Sequence, residues 1–135
     1  MILRRHVLVL VDDEPQVLFA LRRELRREGW EVLSTDYPGQ ALEWLGTRDV
    51  SLVLSDQRMP VMSGTDLLAE VRRRSPTTAR VLLTAYADAA AEPGLRSCVD
   101  ALISKPWDPE MLASSVRDLL RDRELRECED GMAAN

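Results

Sequence analysis

Acidic, hydroxyl and ammonium side chains stand in this chain where apolar runs stop. Asp12, Asp13 and Glu14 follow Val7-Leu8-Val9-Leu10-Val11, and Asp56 follows Leu52-Val53-Leu54-Ser55. Thr84 closes Val81-Leu82-Leu83, and Lys105 closes Ala101-Leu102-Ile103-Ser104. Carboxylates gathered from such ends repel one another. At 4 Å each pair costs about 1 kcal/mol in water and about 4 kcal/mol at an effective dielectric near 20. Folding tolerates that only if a proton or a cation enters. Hard oxygen ligands with open positions suit Mg2+, which keeps waters and meets phosphate readily. A carboxylate can attack phosphorus to form an aspartyl phosphate. A metal and an ammonium would then stabilise the charge on the transferring oxygens. Lys105 is the one lysine beside seventeen arginines. It fits the role of a compact point charge, where a planar guanidinium would need different space.

Each feature also has a plainer meaning. Acids before a helix start serve as caps or favour the helix dipole. A threonine at a strand end has β-propensity and makes local turn bonds. The arginine pairs at 22–23 and 26–27 and the triplet at 72–74 read as solvated helix faces. It is the company of the three acids, Thr84 and Lys105 that favours chemistry over capping. The Lys105-Pro106 bond adds to this, because proline lowers the preference for a trans peptide. A cis bond there is expected to aim the ammonium back over the strand ends.

The elements that must position these groups are legible in the hydrophobic pattern. Strands are expected at roughly 6–11, 31–35, 50–55, 80–84 and 100–104, rich in Val, Leu and Ile as buried parallel strands are. Helices are expected at about 15–28, 38–46, 64–74, 88–97 and from 108 to 122 or beyond. Pro15 and Pro38 suit first helical turns, and Gly29 and Pro76 fit helix ends. Five β-α units in series imply a parallel sheet with right-handed crossovers and helices on both faces. On such sheets ligands bind outside the carboxyl ends of the strands, where the acids and the lysine sit.

Composition narrows the class. The 135 residues fit one domain that buries about two-thirds of its unfolded surface. A net charge of −5 argues against direct contact with nucleic acid. Cys98 and Cys128 form no CxxC pair and accompany a single histidine, His6, so neither a zinc site nor a disulfide framework is expected. No apolar run approaches the roughly 18 residues that span a bilayer. The N-terminus leads straight into a strand without a signal peptide, so a cytoplasmic location is expected.

The motifs Val11-Asp12-Asp13-Glu14, Ser55-Asp56-Gln57-Arg58-Met59-Pro60-Val61-Met62-Ser63-Gly64, Leu82-Leu83-Thr84-Ala85 and Lys105-Pro106-Trp107 come in order. Over roughly residues 5–122 the chain resembles the receiver domain of two-component response regulators. The resemblance implies an α/β, flavodoxin-like (βα)5 fold, with five parallel strands in the order 2-1-3-4-5 and helices on both faces. The receiver would occupy residues 1–122, and residues 123–135 would be a C-terminal tail or the start of a linker helix. By the same resemblance Asp56 accepts a phosphoryl group from a sensor histidine kinase. Asp13 and Asp56 ligate Mg2+, Asp12 acts through water, and the main-chain carbonyl of Arg58 is the third protein ligand. Lys105 pairs with the phosphoryl oxygens, and Thr84 signals occupancy. An output domain or downstream protein receives the signal, and a homodimer forms through the face of the fourth helix, fifth strand and fifth helix. Arg58 and Tyr86 would rim the site.

The chain departs from the family pattern in two places. Leu102 stands where receivers carry an aromatic residue that rotates with the threonine, so the signal is expected to run through backbone and loop shifts. Glu92-Pro93-Gly94 falls inside the fourth helix, where Pro costs about 3 kcal/mol and Gly about 1. That helix is expected to be truncated, kinked or partly loop.

Other classes fit less well. A phosphatase of haloacid-dehalogenase type needs an acid two residues after its nucleophile, where Arg58 stands. A flavin carrier needs a hydroxyl- and glycine-rich loop after the first strand, where this chain has acids. The alternative that remains is a degenerate receiver, a protein-interaction module independent of phosphorylation. Neither the receiver nor the degenerate receiver is an enzyme acting on a soluble metabolite.

Overall fold

The computed structural model describes residues 5–85 and 95–133. Ten elements alternate along it: β1 (Val7–Val11), α1 (Pro15–Arg26), β2 (Glu31–Thr35), α2 (Pro38–Thr47), β3 (Leu52–Asp56), α3 (Gly64–Arg74), β4 (Ala79–Thr84), α4 (Leu95–Cys98), β5 (Ala101–Ser104) and α5 (Pro109–Ala133). The strands form one sheet in the order β2-β1-β3-β4-β5. Every pairing is parallel. This is the expected strand order and flavodoxin-like fold. The expected fourth helix at 88–97 is described only from residue 95, and Tyr86 and Glu92-Pro93-Gly94 lie outside the described residues.

Side chains alternate across a strand, and the two faces of β1 show how that divides the core. Leu8 and Leu10 join Leu21 and Leu25 of α1 and Leu112, Val116 and Leu120 of α5. Val9 and Val11 join Ala41 of α2 and Leu67, Leu68 and Val71 of α3. The central strands β1, β3 and β4 are buried from end to end, whereas β5 shows alternate residues to solvent. Leu102 on β5 is 47% exposed.

Local chemistry sets the helix limits. Pro15 and Pro38 occupy first turns, where a missing N–H leaves no helical bond unmade. Gly29, at φ +88°, ends the α1 turn in a conformation that suits a residue without Cβ. The Asp108 carboxylate accepts from the Met111 N–H at 2.9 Å and so caps α5.

The end of the sheet opposite the strand termini is closed by a polar clasp. Arg123 of α5 is only 2% exposed. Its Nε donates to the Thr77 carbonyl at 3.1 Å, and its Nη2 meets Asp49 at 3.0 Å and Glu127 at 3.1 Å. Ser51 Oγ lies 3.0 Å from His6 Nδ1, and His6 Nε2 lies 2.6 Å from Glu124. The expected boundary at residue 122 therefore falls inside a continuous helix, and the next residue packs into the body.

Candidate functional site

The register brings the strand-end residues together. Val11 pairs with Ser55, so the residues that follow, Asp12 and Asp56, leave the sheet side by side. Thr84 pairs with Ser104, and Lys105 comes next. Ligand oxygens of Asp12, Asp13 and Asp56 all lie within 4.8 Å of one another. Among the described residues this is the one such group of His, Cys, Asp or Glu side chains placed to hold a metal ion. The peptide bond between Lys105 and Pro106 is cis. The Lys105 ammonium donates to Asp56 Oδ1 at 2.7 Å and lies 3.4 Å from Asp12 Oδ2.

Burial sharpens the electrostatics. Asp12 is fully buried and Asp56 is 5% exposed, while Asp13 faces solvent. Burial pushes the Asp12 carboxyl above the usual carboxylate range. The neighbouring Asp56 charge adds to the rise, while the Glu14 N–H and Lys105 oppose it. Burial also works against the Lys105 charge, but the hydrogen bond to Asp56 and the fields of both acids outweigh it and lift the ammonium above its ordinary value. Burial thus makes the Asp12 charge costly, and a cation beside it would lower that cost. Hard carboxylate oxygens that close together fit Mg2+ by chemistry and spacing.

Thr84 is buried at the same edge, and its hydroxyl donates to the Ala85 carbonyl at 3.2 Å. Arg58 is exposed, two residues past Asp56. The loop that carries it is stitched shut by residues that sequence reasoning gave no role. The Gln57 carbonyl accepts from the Gly64 N–H at 2.9 Å. Gln57 Oε1 accepts from the Thr65 N–H at 2.9 Å and from the Thr65 hydroxyl at 2.8 Å. A Cβ on Gly64 would lie 2.2 Å from the Asp56 carbonyl oxygen, so only glycine lets α3 start against the acceptor strand. The available signal was a buried-type amide next to an acid, eight residues before a threonine in a Ser-Gly-Thr helix start.

An open parallel sheet whose carboxyl edge holds three acids, a threonine and one lysine defines the class of the phosphoacceptor signalling domains. Comparison with known proteins agrees. The response regulator receiver domain family matches residues 8–117. The hydrogenase transcriptional regulatory protein HoxA of Cupriavidus necator is 33% identical over 129 residues, which are 91% of this chain and 26% of that protein. The signal receiver domain of an HD domain-containing protein from Pseudomonas fluorescens Pf-5 superposes with a TM-score of 0.84 at 29% identity, covering 94% of this chain and 95% of that one. The response regulator protein TrrA from Thermotoga maritima, solved in complex with Mg2+ and BeF, superposes with a TM-score of 0.77 at 28% identity, covering 84% of this chain and 98% of that one. The chain belongs to the receiver domains of two-component response regulators. It spans about a quarter to a half of the length of the curated relatives it matches. Among the described residues no helix is long and apolar enough to cross a membrane.

Proposed function

We propose that Asp56 is the phosphoacceptor of a Mg2+-dependent switch. The observation that carries this reading is the Lys105 ammonium 2.7 Å from an Asp56 oxygen, inside a group of carboxylates whose oxygens lie within 4.8 Å. A carboxylate oxygen of Asp56 attacks the phosphorus of a phosphohistidine on a sensor kinase. The new O–P bond forms as the P–N bond breaks, and the imidazole leaves with the electron pair. Lys105 stays as counter-charge to the phosphoryl oxygens. Asp13, Asp56 and the Arg58 carbonyl would hold Mg2+ directly and Asp12 through water, and the ion would supply positive charge to the transferring oxygens. Thr84 would turn its hydroxyl from Ala85 to a phosphoryl oxygen.

Leu102 occupies the usual aromatic position, so the change at Thr84 passes to loops and backbone rather than to a rotating ring. The output is a further domain or a downstream protein in the cytoplasm. HoxA is by name a transcriptional regulator, and the Pseudomonas relative is an HD domain protein, so both kinds of output are open to this chain. The part of α5 that runs on past the Arg123 clasp would begin the linker helix that leads there. The face of the fourth helix, β5 and α5 is the proposed dimer surface.

Incubation with acetyl phosphate and Mg2+ is expected to add the mass of one phosphoryl group. Chelation of Mg2+ or Asp56→Asn is expected to abolish the gain. A gain that persists in Asp56→Asn would overturn the assignment.

A further inference from the structure

We propose that Gln57 is a positioning residue for the metal-binding loop, acting through Thr65, an inference that rests on the phosphoacceptor reading above. Gln57 is 5% exposed and is the first residue past the acceptor. Four hydrogen bonds hold it. Its N–H donates to the Leu83 carbonyl of β4 at 3.3 Å, and its carbonyl accepts from Gly64. Its side-chain oxygen takes both donors of Thr65, the N–H at 2.9 Å and the hydroxyl at 2.8 Å.

The start of α3 is consumed by these bonds. A helix begins with four N–H groups that lack partners inside it. Here the Gly64 N–H goes to the Gln57 carbonyl, the Thr65 N–H to the Gln57 side chain, and the Asp66 N–H to the Ser63 hydroxyl at 3.1 Å. The helix N-terminus thus serves as a clamp on the loop. Residues 58–63 are a closed ring between Gln57 and Gly64, and the Asp56 carbonyl is wedged against Gly64. Arg58, whose carbonyl is the proposed third protein ligand, is the first residue of that ring. With both ends of the ring fixed, the positions open to its carbonyl are limited. Groups that orient a metal ligand without touching the ion commonly change metal affinity 10–100-fold when removed.

The test is Mg2+ titration of the metal-free chain, followed by tryptophan fluorescence and by calorimetry, well below the unfolding temperature of each variant. Gln57→Leu keeps the buried volume roughly constant and removes both acceptor bonds. It is expected to weaken Mg2+ binding about tenfold. Thr65→Val removes only the hydroxyl donor and is expected to weaken it about threefold, and the double variant should be no worse than Gln57→Leu alone. In the absence of metal, the Thr65 amide of Gln57→Leu should exchange its hydrogen faster than in the wild type. Wild-type Mg2+ affinity in Gln57→Leu, with a lowered unfolding temperature, would reduce Gln57 to a structural residue and overturn the proposal. Additive losses in the double variant would sever Gln57 from Thr65 and overturn it as well. A wild-type chain that binds no Mg2+ would instead remove the phosphoacceptor reading on which the proposal stands.

Discussion

The two ends of the sheet handle buried charge in opposite ways. At the carboxyl ends of the strands, Asp12 and Asp56 share one ammonium with Asp13 close by, and burial pushes the Asp12 carboxyl above its usual range. At the other end, the Arg123 guanidinium meets Asp49, Glu127 and the Thr77 carbonyl, and His6 is bonded on both ring nitrogens. Removing an ion from water costs several kcal/mol unless partners compensate. The lower end compensates with protein groups and is a permanent closure. At the upper end the buried Asp12 charge is compensated only in part by the Lys105 ammonium and the Glu14 N–H. Under the proposed function, Mg2+ would add positive charge to the acids of that end.

Breaking the lower end should have the largest effect on stability. Arg123→Met leaves Asp49 and the Thr77 carbonyl without their guanidinium. Its expected cost is about 2 kcal/mol, the scale of lost hydrogen bonds to a buried charged group, because Asp49 itself is largely exposed. Thermal unfolding followed by circular dichroism should show it, while phosphorylation by acetyl phosphate stays at the wild-type level. A loss under about 1 kcal/mol would mean that the clasp is ornamental and the contrast false.

At the upper end a charge deletion should do the reverse. The folded pKa of Asp12 is raised, so the folded state binds that proton more tightly than the unfolded state. The ionised carboxylate therefore burdens the metal-free fold at neutral pH. The burden disappears as pH falls through the folded pKa to the ordinary value near 3.8. Asp12→Asn is expected to raise the unfolding temperature of the metal-free chain at pH 7. The gain should vanish below pH 3.8, and Mg2+ should stabilise the variant less than the wild type. An Asp12→Asn chain that melts lower than the wild type without metal would refute the account of a partly compensated Asp12 charge.

An exposed acid calibrates both ends. Glu70 accepts from Arg73 and Arg74, and these bonds hold its carboxyl down to about 2. A depressed acid contributes above its unfolded value, near 4.5, and that contribution is lost as pH falls toward 2. Because the group is at the surface, Glu70→Gln is expected to lower the unfolding temperature by a degree or less, about the scale of exposed pairs. In 1 M salt, where the Debye length is about 3 Å, the difference should disappear. A larger, salt-insensitive effect would blur the distinction between buried and exposed charge.

How much of this was legible in the sequence differs between the two ends. The upper end announced itself because strand termini are visible as changes from apolar to charged residues, and the resemblance to receiver domains supplied the strand order that the sheet bears out. Asp12, Asp13, Asp56, Thr84 and Lys105 stand at that one edge as expected, with the carboxylates and the ammonium in contact range. The clasp was hidden, since its partners are 72 and 74 residues apart and hydropathy treats arginine as solvated. One clue was present. Arg123 continues the spacing of Leu112, Val116 and Leu120, so a charge stands on the buried stripe of α5. Gln57 escaped for a related reason, because an amide gives no pattern until its donor is located.

The α5 helix starts four residues after Lys105 and is gripped at Arg123. Those fifteen residues stretch about 22 Å. They make the helix a strut between the two edges of the sheet, with one foot beside the ammonium and the other in the clasp. A helix of this length is a straight, stiff rod, so a change at its first turn would shift its axis at the clasp. The shift would arrive beside His6 and Ser51, and the last turns of the helix, pinned at Arg123, would swing about that fulcrum.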